Sequence, residues 1–211
     1  MYTPAHFAET RLDVLHQFIR QHPLAALVTS GPDGLEATHV PMVLHPEIGP
    51  RGVLRCHVAR ANPQWKSIGP QRPALVIFSG PEHYITPSWY AAKKEHGRVV
   101  PTWNYAAVHV SGQAKLFEEE NALLEHLNAL TKQSEAPFEN PWAVSDAPPE
   151  YVQAMAKAIV GIEMTIERLE GKWKASQNRP RADRPGIIAG LEELHTPQSL
   201  EMAEMVKLRC E

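Results

Sequence analysis

Apolar positions recur along this chain with two different periods. Near the N-terminus Leu12, Leu15, Phe18 and Ile19 repeat at helical spacing, after Thr10 and Asp13 and before Pro23, which predicts an opening amphipathic helix. From residue 24 the pattern shortens to strand length. Residues 24–29 are a compact apolar run, Gly31-Pro32-Asp33-Gly34 is turn chemistry, and 35–44 is a second extended stretch, so the two read as a hairpin. Further extended pieces are predicted at 53–58, 73–79, 83–86 and 106–117. Leu123, Leu124, Leu127 and Leu130 form a stripe that predicts a helix over 118–133, and a loop follows over 137–149. Pro148-Pro149-Glu150 then opens another helix, to about Val160. Residues 161–169 alternate apolar and charged side chains and are expected to be the last strand. No long helix separates successive strands, so the pairing is expected to be antiparallel. The class is mainly β with flanking helices (α+β), and a meander closing into a barrel is the economical topology.

The totals narrow this without changing it. The chain has 211 residues, 43% of them hydrophobic, and 19 prolines against 12 glycines favour many short elements. One domain over 1–194 is expected, with 195–211 as a C-terminal tail. The first twenty residues carry charges and no apolar run reaches membrane-spanning length, so no membrane association is expected. Cys56 and Cys210 form no disulfide or zinc pattern, which suits a reducing cytoplasm. A net charge of −3 gives the whole molecule no pull toward a polyanion. One local basic concentration exists, Arg168, Lys172, Lys174, Arg179, Arg181 and Arg184, diluted by Glu170 and Asp183.

Phosphate-loop, dinucleotide-fingerprint, zincin and nucleophile-elbow motifs are all missing from the sequence, so it names no catalytic residue. His39, His57, His83 and His109 are dispersed without metal-ligand spacing, and no metal is expected. Four polar sets beside backbone breakers remain. Thr38-His39-Val40-Pro41 puts a proline in a strand, which marks an edge or rim; the pair Thr38 and His39 either faces a ligand or is ordinary strand surface. The stretch from His57-Val58 through Arg60 to Asn62-Pro63-Gln64-Trp65 ends a strand in a turn whose guanidinium suits a phosphate, or is a capped turn with a surface arginine. The aromatic set of Tyr84, Trp89, Tyr90, Trp103 and Tyr105, with Asn104, either stacks on a flat ring or fills a core or subunit interface. The basic, amide-rich stretch holding Lys174, Gln177 and Arg179 either reaches an anionic cofactor, lies on a nucleic acid, or is a solvated face.

At these sets the sequence resembles the PaiB family of FMN-binding negative transcriptional regulators. The motifs carrying the resemblance run from Met1-Tyr2-Thr3-Pro4-Ala5-His6-Phe7 through the first two sets and Val100-Pro101-Thr102-Trp103-Asn104-Tyr105 to Ser176-Gln177-Asn178-Arg179 and Gly190-Leu191. The resemblance implies an antiparallel split β-barrel of the pyridoxamine-phosphate-oxidase type, a homodimer with FMN in a groove between subunits. It places Thr38, His39, Val40 and Pro41 with His57, Val58, Arg60 and Asn62 around the ribityl phosphate, Arg60 being the chief charge partner. Trp103, Asn104 and Tyr105 come from across the interface, and Lys174, Gln177 and Arg179 are further candidates. Oxidase relatives carry arginine and lysine on the strand where this chain has His39, which implies weaker phosphate binding. The implied role is transcriptional regulation with DNA or a regulatory protein as partner. A flavin-dependent oxidoreductase or flavin reductase is the alternative, and a haem-binding or haem-degrading protein a third.

Overall fold

The computed structural model describes residues 1–32, 34–70 and 72–210, Cys210 by its backbone alone; Asp33 of the expected hairpin turn lies outside the described residues. In chain order the elements are β1 (Ala8–Glu9), α1 (Leu12–Gln21), β2 (Leu24–Gly31), β3 (Gly34–Pro41), β4 (Val43–His45), β5 (Val53–Ala59), β6 (Pro73–Ile85), α2 (Ala91–Glu95), β7 (Thr102–Phe117), α3 (Glu120–Glu135), α4 (Pro149–Lys157), β8 (Ile159–Thr165), β9 (Arg168–Lys174), α5 (Arg184–Glu193) and α6 (Pro197–Cys210). The strands hydrogen-bond in the order β3-β2-β6-β7-β8-β5-β4, with β9 pairing β7 and β1 off this path. The chain divides into two compact units. Unit 1 holds Met1–Arg11, Ser79–Val108 and Glu170–Glu211, and unit 2 holds Leu12–Phe78 and His109–Leu169.

In unit 2, α1 forms as its apolar spacing predicts and buries Leu15, Phe18 and Ile19. The hairpin is in register from Leu24↔Pro41 to Gly31↔Gly34, and Gly34 has a φ of 114°, which favours glycine at that turn. Pro41 closes β3, the terminal strand of the order, where its missing N–H leaves no ladder bond unmade. Strand β5 pairs antiparallel with β8 along its whole length, Val53↔Thr165 to Ala59↔Ile159. Leu27, Leu54, Cys56, Val58, Val76, Val110, Val160 and Ile162 are buried and make the core. Burial pushes the Cys56 thiol up to about 12, so it is an unreactive core side chain.

Expectations for two stretches of strand differ from the structure. The pieces at 73–79 and 83–86 are one strand, β6, that runs through Gly80-Pro81, because proline's fixed φ is compatible with extended backbone. The alternating run at 161–169 is cut into β8 and β9. Ile166 N–H donates to Gly52 O at 3.2 Å and Glu167 N–H to Ser111 O at 3.0 Å, so the break is made by long-range bonds and no glycine or proline marks it. Residues 197–210 form α6, with Met202, Ala203 and Val206 buried.

In unit 1, β1 pairs β9 through Ala8↔Lys172 and Glu9↔Gly171. The core gathers Ile85, Tyr90, Ile187, Leu191, Met202 and Val206. Gly186 and Gly190, one turn apart on α5, leave a notch for Trp89: a Cβ on Gly190 would stand 2.2 Å from the indole and one on Gly186 2.0 Å from the Trp89 carbonyl oxygen.

Candidate functional site

Strand alternation separates residues that stand together in the sequence. In β3, Val40 is buried, Thr38 half-buried and His39 exposed, so Thr38 and His39 point to opposite faces. The Thr38 hydroxyl accepts from Asn62 Nδ2 at 3.0 Å, and Asn62 Oδ1 accepts from Gln64 N–H at 3.0 Å, capping the 3₁₀ turn Pro63–Ser67. The structure thereby brings together the strand motif and the turn motif. Gln64 completes the junction: its amide nitrogen donates to Leu27 O at 2.9 Å and Thr29 Oγ1 at 3.1 Å, while its Oε1 is buried without a hydrogen-bond partner. Gln64 carries no sequence signal beyond its place in the NPQW tetrapeptide, and only the fold shows that it is 1% exposed.

The Arg60 side chain makes three hydrogen bonds within the chain. Its Nε donates to Lys157 O at 3.0 Å, Nη2 to Ile159 O at 3.0 Å and Nη1 to Glu118 Oε1 at 2.6 Å. The guanidinium caps the carboxyl end of α4, where carbonyls lack intrahelical partners and the dipole favours a cation. It borders a small cavity with Glu120, Leu123 and Gln153.

His57 faces α3. Its Nδ1 lies 3.0 Å from Nε2 of His126, so one of the two rings carries the shared hydrogen. Burial holds His57 below the usual imidazole range and pushes His126 down to about 3, with His57, Arg55 and His45 adding to the effect. His126 Nδ1 is buried and unpartnered. The leucine stripe of α3 conceals this histidine, since a polar residue at a core position has no signal of its own in an amphipathic pattern. Both imidazoles are neutral in the folded chain while the unfolded chain takes up protons near pH 6.5, so stability is full above that value and declines as pH falls toward 3. The unfolding free energy from urea titrations is expected to fall by on the order of 1 kcal/mol per pH unit between pH 6.5 and 4.5, and by visibly less in His126→Gln. Equal slopes in the two proteins would contradict this account.

The remaining candidates lie in unit 1. Trp103, Asn104 and Tyr105 open β7 instead of occupying a loop. Trp103 is exposed, with its ring 6.0 Å from that of Tyr84 in a T-shaped arrangement. Asn104 is fully buried and exchanges hydrogen bonds with Ser176, Nδ2 to Oγ at 2.9 Å and Oγ to Oδ1 at 3.2 Å. Ser176 holds a φ of 63°, an uncommon conformation for a residue with a side chain. Gln177 is turned inward, accepting from Ala175 N–H and donating to the Trp173 carbonyl. Lys174 Nζ donates to the Thr102 hydroxyl, and burial first, then Lys172 and Arg179, hold its pKa below the usual lysine range. Arg179 lies over the Tyr90 ring at 4.5 Å and donates to Val100 O at 3.0 Å. Of the fourteen candidates, Thr38 and Asn62 thus share a polar junction, Arg60 caps a helix, His57 meets His126, and Asn104, Lys174, Gln177 and Arg179 lie at or beside a basic strand end, while His39 and Trp103 are exposed and Val40 and Val58 buried.

A family model described as "Putative FMN-binding domain" matches residues 1–168. Uncharacterized protein AN0679 of Emericella nidulans is 38% identical over 246 residues, covering 100% of this chain and 98% of the relative. Protease synthase and sporulation protein PAI 2 of Bacillus subtilis is 31% identical over 207 residues, 98% of this chain and 97% of the relative. Among solved structures, the conserved hypothetical protein Rv2991 from Mycobacterium tuberculosis superposes with a TM-score of 0.58 at 14% identity, covering 86% of this chain and 95% of that one. The FAD and heme binding protein from Mycobacterium smegmatis gives 0.55 at 13% identity, covering 79% and 73%. These likenesses show the fold, an antiparallel split β-barrel with flanking helices. Together with the motifs, they make the chain a member of the FMN-binding family of PaiB type.

Proposed function

We propose that the protein is an FMN-responsive negative regulator of transcription that works as a homodimer in the cytoplasm. The observation that carries the flavin part of this reading is the Thr38–Asn62 hydrogen bond, which joins two motifs distant in sequence into one polar junction. The Thr38 hydroxyl keeps its own proton to donate, and the exposed His39 offers a further polar group on the other face of β3. Hydroxyl and amide groups match the ribityl chain and the polar edge of an isoalloxazine. The neutral junction, with the Arg60 guanidinium partly engaged by Glu118, fits a weakly charged site. When bound, FMN supplies electron-transfer chemistry, while the chain supplies position and electrostatics. The relative named for protease synthesis and sporulation supports the regulatory part, and the exposed Tyr84 and Trp103 suit a second copy as partner.

Titration of the purified protein with FMN, followed by quenching of flavin fluorescence, tests the site. Saturable binding near one FMN per chain is expected, and Asn62→Ala should weaken it about tenfold, since both the cap and the tie to Thr38 are lost. No binding by the unaltered protein at high FMN would overturn the reading. A mobility-shift assay with and without FMN separates a regulator, which retards DNA in only one of the two states, from a protein whose flavin serves an oxidoreductase reaction.

A further inference from the structure

Unit 1 carries cations that its own carboxylates leave unneutralised. Three of them are ranged along the segment 100–105: Arg179 donates to Val100 O at 3.0 Å, Lys174 to the Thr102 hydroxyl, and Lys172 Nζ lies 5.1 Å from the centre of the Tyr105 ring while donating to Tyr2 O at 3.1 Å. Every one of these acceptors is neutral. Among the described residues no carboxylate forms an ion pair with any of the three. Glu9 is held by Arg11 and Arg209, Glu170 by the N-terminal amine, and Asp183, which faces Tyr90 as Arg179 does, accepts from Ala92 N–H at 3.0 Å. Lys172 is 8% exposed, and Lys174 and Arg179 are half-buried, so water screens their mutual repulsion only in part.

The surroundings hold this charge in place. Asn104 and Ser176 bond each other, and the inward-turned Gln177 amide ties its segment to Ala175 and Trp173, the two neighbours of Lys174 in sequence. Trp103, next in sequence to the Thr102 partner of Lys174, is exposed together with Tyr84. Fixed, repelling, solvent-reachable cations beside exposed rings suit an anion with an aromatic part. A planar guanidinium and an ammonium supply directed donors to a tetrahedral oxyanion.

We propose that Lys174 and Arg179, backed by Lys172, form a binding site for a phosphate monoester dianion. The site adds cations to the one the flavin reading supplies, Arg60, three of whose five N–H groups are taken by Lys157 O, Ile159 O and Glu118. It does not depend on that reading. The phosphate belongs either to FMN or to another phosphorylated ligand such as a nucleotide.

The test is a titration of the full chain with inorganic phosphate at constant ionic strength, followed in amide NMR spectra. Saturable shifts are expected at residues 100–105 and 172–179, with affinity at least tenfold weaker in Lys174→Met/Arg179→Met and unchanged in Lys94→Met/Lys132→Met, which removes as much charge from exposed helix positions. A second readout needs no variant: affinity should fall as pH rises through the lowered pKa of Lys174, because the ammonium is then lost. Shifts scattered over the surface, or equal affinity in both double variants, would mean an adventitious ion only and would overturn the site. FMN and riboflavin affinities then name the source. If the FMN preference over riboflavin collapses in Lys174→Met/Arg179→Met, the phosphate is the flavin's; if phosphate binding is lost and that preference survives, it is another ligand's. A chain that binds phosphate here but no FMN supports this site while overturning the flavin reading.

Discussion

Gly112→Ala is expected to destabilise the protein by about 3 kcal/mol or more, or to prevent folding, because the added methyl has no space to enter. A Cβ at residue 112 would stand 1.8 Å from the carbonyl oxygen of Thr165 and 3.2 Å from the nitrogen of Glu167. Both are backbone atoms at the passage from β8 to β9, so no side chain can rotate out of the way. The backbone there is fixed on either side by the bonds from Ile166 to Gly52 and from Glu167 to Ser111. Relief therefore requires moving β7 away from β8 and weakening bonds in both. Urea unfolding measures the loss, with Gly69→Ala as the comparison, since nothing lies within 4 Å of a Cβ at residue 69. In a chain of this size the expected loss is a fall in Tm of roughly 10 °C. A Gly112→Ala protein within 1 kcal/mol of the parent would show that the strands do not approach so closely.

The second large effect is expected at Glu9, a carboxylate with a 3% exposed side chain. One oxygen accepts from the N–H groups of Thr10 and Arg11 at 3.0 and 2.9 Å, and the other meets Arg11 Nη2 and Arg209 Nη1, each at 2.7 Å. The Arg11 side-chain bond does most to hold the Glu9 pKa down to about 2, with the Arg11 backbone and Arg209 adding to it against the opposing effect of burial. A carboxylate with a lowered folded pKa contributes stability that is complete above its ordinary value near 4.5 and is lost as pH falls from there toward 2. Arg11 is largely exposed, so screening reduces the contribution to about 2 kcal/mol. Glu9→Gln should cost that amount at pH 7, because its amide turns N–H donors toward two guanidiniums. Its acid unfolding between pH 5 and 2 should be correspondingly flatter than the parent's. Unchanged stability together with an unchanged acid limb would remove Glu9 from this role. Arg209 belongs to α6, so the same measurement reports how firmly that helix holds to β1.

Local pattern and tertiary placement contributed unequally to the site. The period of α1, the glycines of the β2–β3 hairpin, the alternation of β5 and the leucine stripe of α3 each act over a few neighbouring residues, and each is readable from them. The cut between β8 and β9 is not, because it is made by hydrogen bonds to Gly52 and Ser111 from far along the chain. The same holds for side chains. Asn62 looks like a cap in sequence and is one, but its bond to Thr38 depends on where the β2–β3 hairpin folds back.

Arg60 shows the limit most clearly. A basic residue in a turn after a strand suits a phosphate by composition alone, and only the arrival of α4 and Glu118 determines what its donors meet. Lys172 and Lys174 show the reverse: in sequence they belong to a basic run that reads equally as a solvated face, and pairing of β9 with β1 draws Lys172 into the interior. What the sequence by itself determined is α1, the β2–β3 hairpin, the extended run of β5, the α3 stripe, the antiparallel class and the family motifs, since these rest on spacing, turn chemistry and residue order. Which donors stay free, which histidine is buried and which cations lack a counter-charge were decided by the tertiary structure alone, because hydrogen bonding and desolvation depend on neighbours brought together from distant parts of the chain.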